Sequence, residues 1–149
     1  MIKQKQVFLH NPDAGQIGDC HRTAIACLLD MKPEDVPHFV GEHWGEEDYD
    51  WKGAVNAFLA AHGYASVDVY YSGESDLDIV LHAVGTRNPG AYYLLGGQSP
   101  RGFDHTVIGC GERIEWDPHP DGTGLVAPLS NGCWEVTFIV PLSMTRAAA

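Results

Sequence analysis

Positive charge is scarce in this 149-residue chain: nine Lys and Arg stand against twenty Asp and Glu, a formal net charge of −11. Phosphate backbones are bound through clustered Lys and Arg. Here the few cations are scattered, and the densest charge run is the acidic GEEDYD at 45–50, so nucleic acid is excluded as a partner. No apolar run approaches the roughly 20 residues of a membrane-spanning helix. The start, MIKQKQVFLHNPD, has neither the apolar core nor the small-residue cleavage site of a secretory signal. We therefore expect no membrane association and a cytoplasmic location. No C-x-x-C or H-x-x-x-H pair occurs, which removes the usual spacing of a zinc site or redox motif, and no metal or other cofactor is expected. The four cysteines (Cys20, Cys27, Cys110, Cys133) are expected to be free thiols in a reducing compartment.

What is present is the composition of an ordinary globular domain, 44% hydrophobic and 19% charged. The length suits one domain, 1–149, with its own core, and no repeat argues for more. Residues 2–9 read as a short first strand ended by the turn signal HNPDAG. A helix is predicted over 20–31, then a loop at 32–39 with one helical turn, anchored by Val36 and Phe39. Trp51, Val55, Phe58 and Leu59 mark a second helix over 50–62 with Gly63 as its stop. A strand at 65–72 and a third helix at 75–85, capped by Ser75 and stopped by Gly85, follow. The remainder reads as β at 90–97, 104–111, 113–117 and 133–142, ahead of a frayed tail, 143–149. The class is α+β, with N-terminal helices packed on a C-terminal antiparallel sheet.

The stretch GQIGDCHRTAIACLLDM places Cys20 where a glycine-broken loop becomes an apolar helix. The first helical turn has unpaired N–H groups and a partial positive charge, an environment that favours the nucleophilic thiolate. Asp19 is placed as N-cap, although its carboxylate opposes that effect. A working nucleophile also needs an imidazole. FDHTVIGCGERIEWDPHP reads as two strands joined through GCGE. With Gly111 as centre of symmetry, His105 and Asp117 each lie six residues away and face one another across the hairpin. Such a carboxylate would orient the ring and leave the other ring nitrogen for the thiol.

Cys at an early helix start, His on a strand and Asp on the next resembles the order of papain-like cysteine peptidases. The nearer likeness is to peptidase domains that remove double-glycine leaders from bacteriocins, which also carry a DC pair before an Ala- and Leu-rich helix and an Asp-Pro after the His strand. Here these are Asp19-Cys20, His105 and Asp117-Pro118. The resemblance implies a papain-like fold, amide or peptide hydrolysis through a thioester, and an oxyanion-hole Gln upstream of the nucleophile, for which Gln16 is the candidate.

Asp19 and His21, which flank Cys20, and the aromatic Trp44 and Trp51 are candidates to contact a peptide or protein amide substrate. Trp44, Trp51 and Tyr49 could line a substrate groove, but on the sequence alone a core role is the expectation for them, and Cys27, Cys110 and Cys133 read as packing. Two other classes compete with the Cys20–His105–Asp117 hydrolase. The same triad can pass the acyl group to an amine, as in an acyltransferase or a transglutaminase-like enzyme, or the fold can serve as a non-catalytic binding module. A metal hydrolase built on Cys20, His21, His105 or His119 lacks the clustered spacing such sites show.

Overall fold

The computed structural model describes residues 1–144; the expectation of a frayed tail falls, for 145–149, outside them. Six consecutive residues of the first helix, Arg22 to Cys27, are buried, so this element has neighbours on nearly every side. The helix, α1 (Cys20–Leu28), stops three residues short of the expected 31. Asp30 takes a left-handed backbone (φ 56). The Met31 N–H returns to the Ala26 carbonyl at 2.9 Å and the Asp30 N–H to the Cys27 carbonyl, a Schellman ending built without glycine. The expected helical turn follows at Pro33–Asp35, and Val36 and Phe39 beside it are buried. Helix α2 (Trp51–Ala61) is capped by the Asp50 side chain, which accepts from the Gly53 N–H at 2.8 Å.

Strand β1 (Tyr64–Ser72) leads to helix α3 (Leu77–Arg87), then β2 (Tyr92–Gln98), β3 (Asp104–Cys110), β4 (Arg113–Trp116) and β5 (Cys133–Pro141). Helix α3 starts after Asp76, not Ser75, and runs through Gly85, which is no stop signal. A Cβ at Gly85 would lie 2.4 Å from the Gly111 backbone, so glycine is there for close approach of the helix to the β3–β4 turn.

The five strands form one antiparallel sheet in the order β1-β5-β2-β3-β4. Alternation along β2 and β3 divides the core in two. Leu94 and Ile108 join α1 and α2 in one cluster. Tyr93, Leu95 and Val107 join Val80, Leu81 and Val84 of α3 in the other. The α+β class is as expected, with a helical layer on each side of the sheet. Within it α1 packs on β3 and β2.

The expected strand at 2–9 is absent. Its backbone is paired piecemeal: Ile2 N–H to Cys27 carbonyl, Gln6 N–H to Pro118 carbonyl, and Phe8 in both directions with Asp19. A ladder needs one continuous partner strand, and this segment bridges a helix end, a loop and a helix start instead.

Candidate active site

Cys20 is the first residue of α1, and its N–H has no partner among the described residues, as the first turn of a helix leaves it. The carbonyl of Asp19 accepts the first helical bond from Thr23, so Asp19 holds the N-cap place. Its side chain does not cap. The carboxylate, 1% exposed, accepts from the Phe8 N–H at 2.8 Å and from Arg22 Nε at 2.9 Å. Arg22 is itself buried, reaches the Val36 carbonyl and lies over the Phe8 ring. Asp19 is therefore a structural tie that fixes residue 8 against the start of α1. It lies below the surface, so the expectation that it contacts substrate is not met.

The His105–Asp117 pair is present, by a different register from the symmetric one. The β3–β4 turn has two residues, Gly111 and Glu112, with Gly111 at φ 58 as a type II′ turn requires. Cys110 pairs with Arg113 and Gly109 with Ile114; then a bulge intervenes and Ile108 pairs with Trp116. The two-residue turn alone would set Pro118 across from His105 and turn Asp117 to the other face. The extra residue at the bulge, Glu115, restores the parity, so Asp117 sits one step diagonally from His105 on the same face.

His105 Nε2 lies 2.7 Å from Asp117 Oδ1, and both residues are buried. The same carboxylate accepts from the backbone of His119 (2.8 Å) and of Gly124 (2.9 Å), which locks it in place after β4 ends. Burial alone would push the His105 imidazole down; hydrogen bonding to Asp117 and Cys20, with their charges, outweighs it and pushes it up to about 9. Burial likewise disfavours the Asp117 carboxylate, but the donors from His105, His119 and Gly124 hold it below its ordinary value. With Nε2 engaged by Asp117, Nδ1 is the nitrogen left for Cys20.

Cys20 and His105 line a cleft of about 590 Å³ together with His21, Trp44 and Trp51. Trp44 is 54% exposed at its rim and is no core residue. Trp51 meets the His21 ring edge-on at 5.2 Å. His21 is pushed down to about 4 by burial, with Lys52 adding to the effect, and its Nδ1 has no partner. His10 and Phe103, in ring contact at 4.6 Å, complete an aromatic rim that the sequence reading passed over.

Gln16 lies outside the cleft, on the surface. Its amide donates to the Leu9 carbonyl at 2.7 Å and staples the hairpin-like loop 8–19, where Asn11 and Gln16 pair backbone to backbone. The buried glutamine beside the nucleophile is Gln6, 8% exposed, which lines a small pocket with Cys20 and His105. Its Nε2 donates to the Phe8 carbonyl (2.6 Å), and its Oε1 has no partner. The sequence signal for it was present, a Gln in a segment closing on a DC pair. The loop 8–19 lengthens the spacing while bringing its two ends together.

Cys27 is buried, Cys110 and Cys133 are half-buried, and all four cysteines are free. Among the described residues no cluster of three or more His, Cys, Asp or Glu is arranged to hold a metal ion, and no helix is long and apolar enough to cross a membrane. Comparison of the chain with protein-family models, with curated proteins and with solved structures finds no match.

Proposed function

We propose that the chain is a cysteine-dependent hydrolase of amide or peptide bonds with a papain-like arrangement. The observation that carries this reading is the meeting, in one cleft, of a thiol at a helix start with a buried imidazole whose far nitrogen is held by a buried carboxylate. Cys20 Sγ attacks the carbonyl carbon as the thiolate, its proton already held by His105 as imidazolium, and His105 delivers that proton to the leaving nitrogen as the C–N bond breaks. Water, deprotonated by His105, then cleaves the thioester and restores the thiol. Asp117 fixes the ring and stabilises the imidazolium. The unpaired N–H of Cys20 and the amide of Gln6, which shares a pocket with Cys20, are the donors offered to the carbonyl oxygen as it becomes an oxyanion. In this reading Gln6 takes the place the resemblance assigned to Gln16.

The test is selective alkylation coupled to activity. Iodoacetamide should modify Cys20 well ahead of Cys27, Cys110 and Cys133, read by peptide mass mapping. Hydrolysis of a peptide library should vanish in step with that label and in Cys20→Ala. Chelators should have no effect. Equal labelling of Cys20, Cys110 and Cys133, or hydrolysis that survives in Cys20→Ala, overturns the reading.

A further inference from the structure

Two spaces of very different size meet at the Cys20–His105 pair. One is the 590 Å³ cleft; the other, lined by Gln6, Ser99, Arg101 and His119, holds only about 60 Å³. An amide substrate placed on Cys20 has its acyl part on one side and its leaving amine on the other. The small pocket has room for little more than a glycine-sized piece, so the chain of the substrate must occupy the large cleft.

Free hydrogen-bonding groups decide which end of a substrate enters the small pocket. Arg101 is the only Lys or Arg lining it among the described residues. Its Nη1 is held by both oxygens of Asp121 (2.9 and 2.7 Å) and by Thr123 Oγ1 (3.0 Å). Its Nε and Nη2 have no partner among the described residues, and the side chain is 27% exposed. The acid on the pocket wall, Asp104, has its oxygens engaged by the Ser130 N–H (2.9 Å) and hydroxyl (2.6 Å). A positioned guanidinium with free Nε and Nη2 donors binds a carboxylate in a fork, whereas the Asp104 oxygens that an ammonium would need already accept from Ser130. A substrate's free N-terminus is therefore disfavoured there and its free C-terminus is favoured.

Resting on the hydrolase reading, we infer that the enzyme acts at the free C-terminal end of its substrate, with Arg101 binding the terminal carboxylate in the small pocket and the preceding chain lying in the large cleft. Cys20 Sγ bonds to the carbonyl carbon of the last amide, and the C–N bond breaks with the His105 proton going to the nitrogen. A small amino acid leaves. Water then replaces sulfur at the acyl carbon, giving a shortened chain with a new carboxylate.

The experiment uses N-acetylated pentapeptide libraries randomised at four positions and ending in Gly, made as the free acid and as the C-terminal amide. A third library ends in Asp amide and carries its carboxylate on a side chain. Mass spectrometry should show release of the last residue from the free acid at least about tenfold faster than from the amide, since a hydrogen bond to a charged group contributes that much. In Arg101→Gln this acid-to-amide ratio should fall to near one, whatever the variant does to the overall rate. A purely structural role of Arg101 would lower both rates and leave the ratio intact, which overturns the inference. Equal wild-type rates on the acid and amide libraries also overturn it and leave the hydrolase reading standing. Preference for the Asp amide library assigns Arg101 to side-chain recognition instead and overturns the terminal claim. Cleavage of none of the three overturns both readings.

Discussion

The two faces of the sheet are built from different chemistry. On the α3 face the buried side chains are Val80, Leu81, Val84, Leu95, Val107, Leu125 and Val136, with Tyr93 and Trp134 among them. The only polar atoms of those aromatics are each tied to a backbone carbonyl, Tyr93 Oη to Gly111 (2.8 Å) and Trp134 Nε1 to Ser75 (2.9 Å). On the α1 side the interior carries the Asp19–Arg22 ion pair, the neutral His21 and the unpartnered Oε1 of Gln6. Groups of this kind are costly to bury unless paired, and unpaired ones are rare in cores. They gather around the start of α1, within reach of Cys20. One face supplies stability, and the other uses polar groups to place a thiol.

The largest effects should come from the catalytic groups that meet at the start of α1. His105→Ala removes both the base and the electrostatic support of the thiolate, and should lower hydrolysis roughly 10³–10⁴-fold with the fold intact by circular dichroism. Asp117→Asn keeps the shape and should lower it roughly 10²–10⁴-fold, because an amide does not hold the imidazolium. Cys20 alkylation measured against pH should change shape in His105→Ala; profiles identical to wild type would mean that the two residues do not communicate.

Next come two stability variants that put the faces side by side. Asp19→Ala leaves Arg22 charged and buried and frees the Phe8 N–H, and should destabilise by about 3–5 kcal/mol in urea unfolding. Leu95→Ala opens a cavity on the other face and should cost about 2–5 kcal/mol. The difference lies in function. Per folded molecule Leu95→Ala should retain near-normal Cys20 reactivity, whereas Asp19→Ala should lose it, since Asp19 ties residue 8 to the helix start. Equal retention of reactivity in both would erase the distinction between the faces.

The same contrast explains what could be read from the sequence. Helices α1 and α2, strand β1 and the later strands were legible because apolar spacing reflects burial in a local element. Cys20 was legible from its place at the loop-to-helix boundary. His105 and Asp117 were found together although the symmetric register was wrong, because the bulge at Glu115 compensated for the two-residue turn. A bulge has no simple sequence signature. The N-terminal segment was misread for the opposite reason. Its alternating residues meet a helix end, a loop and Asp19 in turn, and periodicity carries no information about which partners are available. Gln16 was chosen by distance along the chain, but the loop 8–19 closes on itself, and the glutamine brought to Cys20 is Gln6. Gln6→Ala should therefore lower the rate roughly 10²–10³-fold, the loss usual for one oxyanion donor. Gln16→Ala should change it less than about twofold. The reverse ranking would return the role to Gln16.

The sharpest test of the buried pair is a pH dependence. His105 is held at about 9 in the folded chain against its ordinary 6.5. Because the folded value is the higher one, the imidazolium stabilises the fold fully below pH 6.5. That contribution declines as the pH rises and is gone above about 9. Asp117 is held below its ordinary 3.8, so its share persists above that value and fades only in stronger acid. The stability difference between wild type and His105→Gln should therefore be widest between about pH 5 and 6.5. It should narrow by on the order of 3 kcal/mol by pH 9, measured by urea unfolding at intervals across the range. Leu95→Ala has no titrating group at its site and should show a difference independent of pH. If the His105→Gln difference proves as flat as that of Leu95→Ala, the imidazole titrates alike folded and unfolded. The pair with Asp117 would then give the imidazolium no net stabilisation, and the site at the start of α1 would lose the feature that sets it apart.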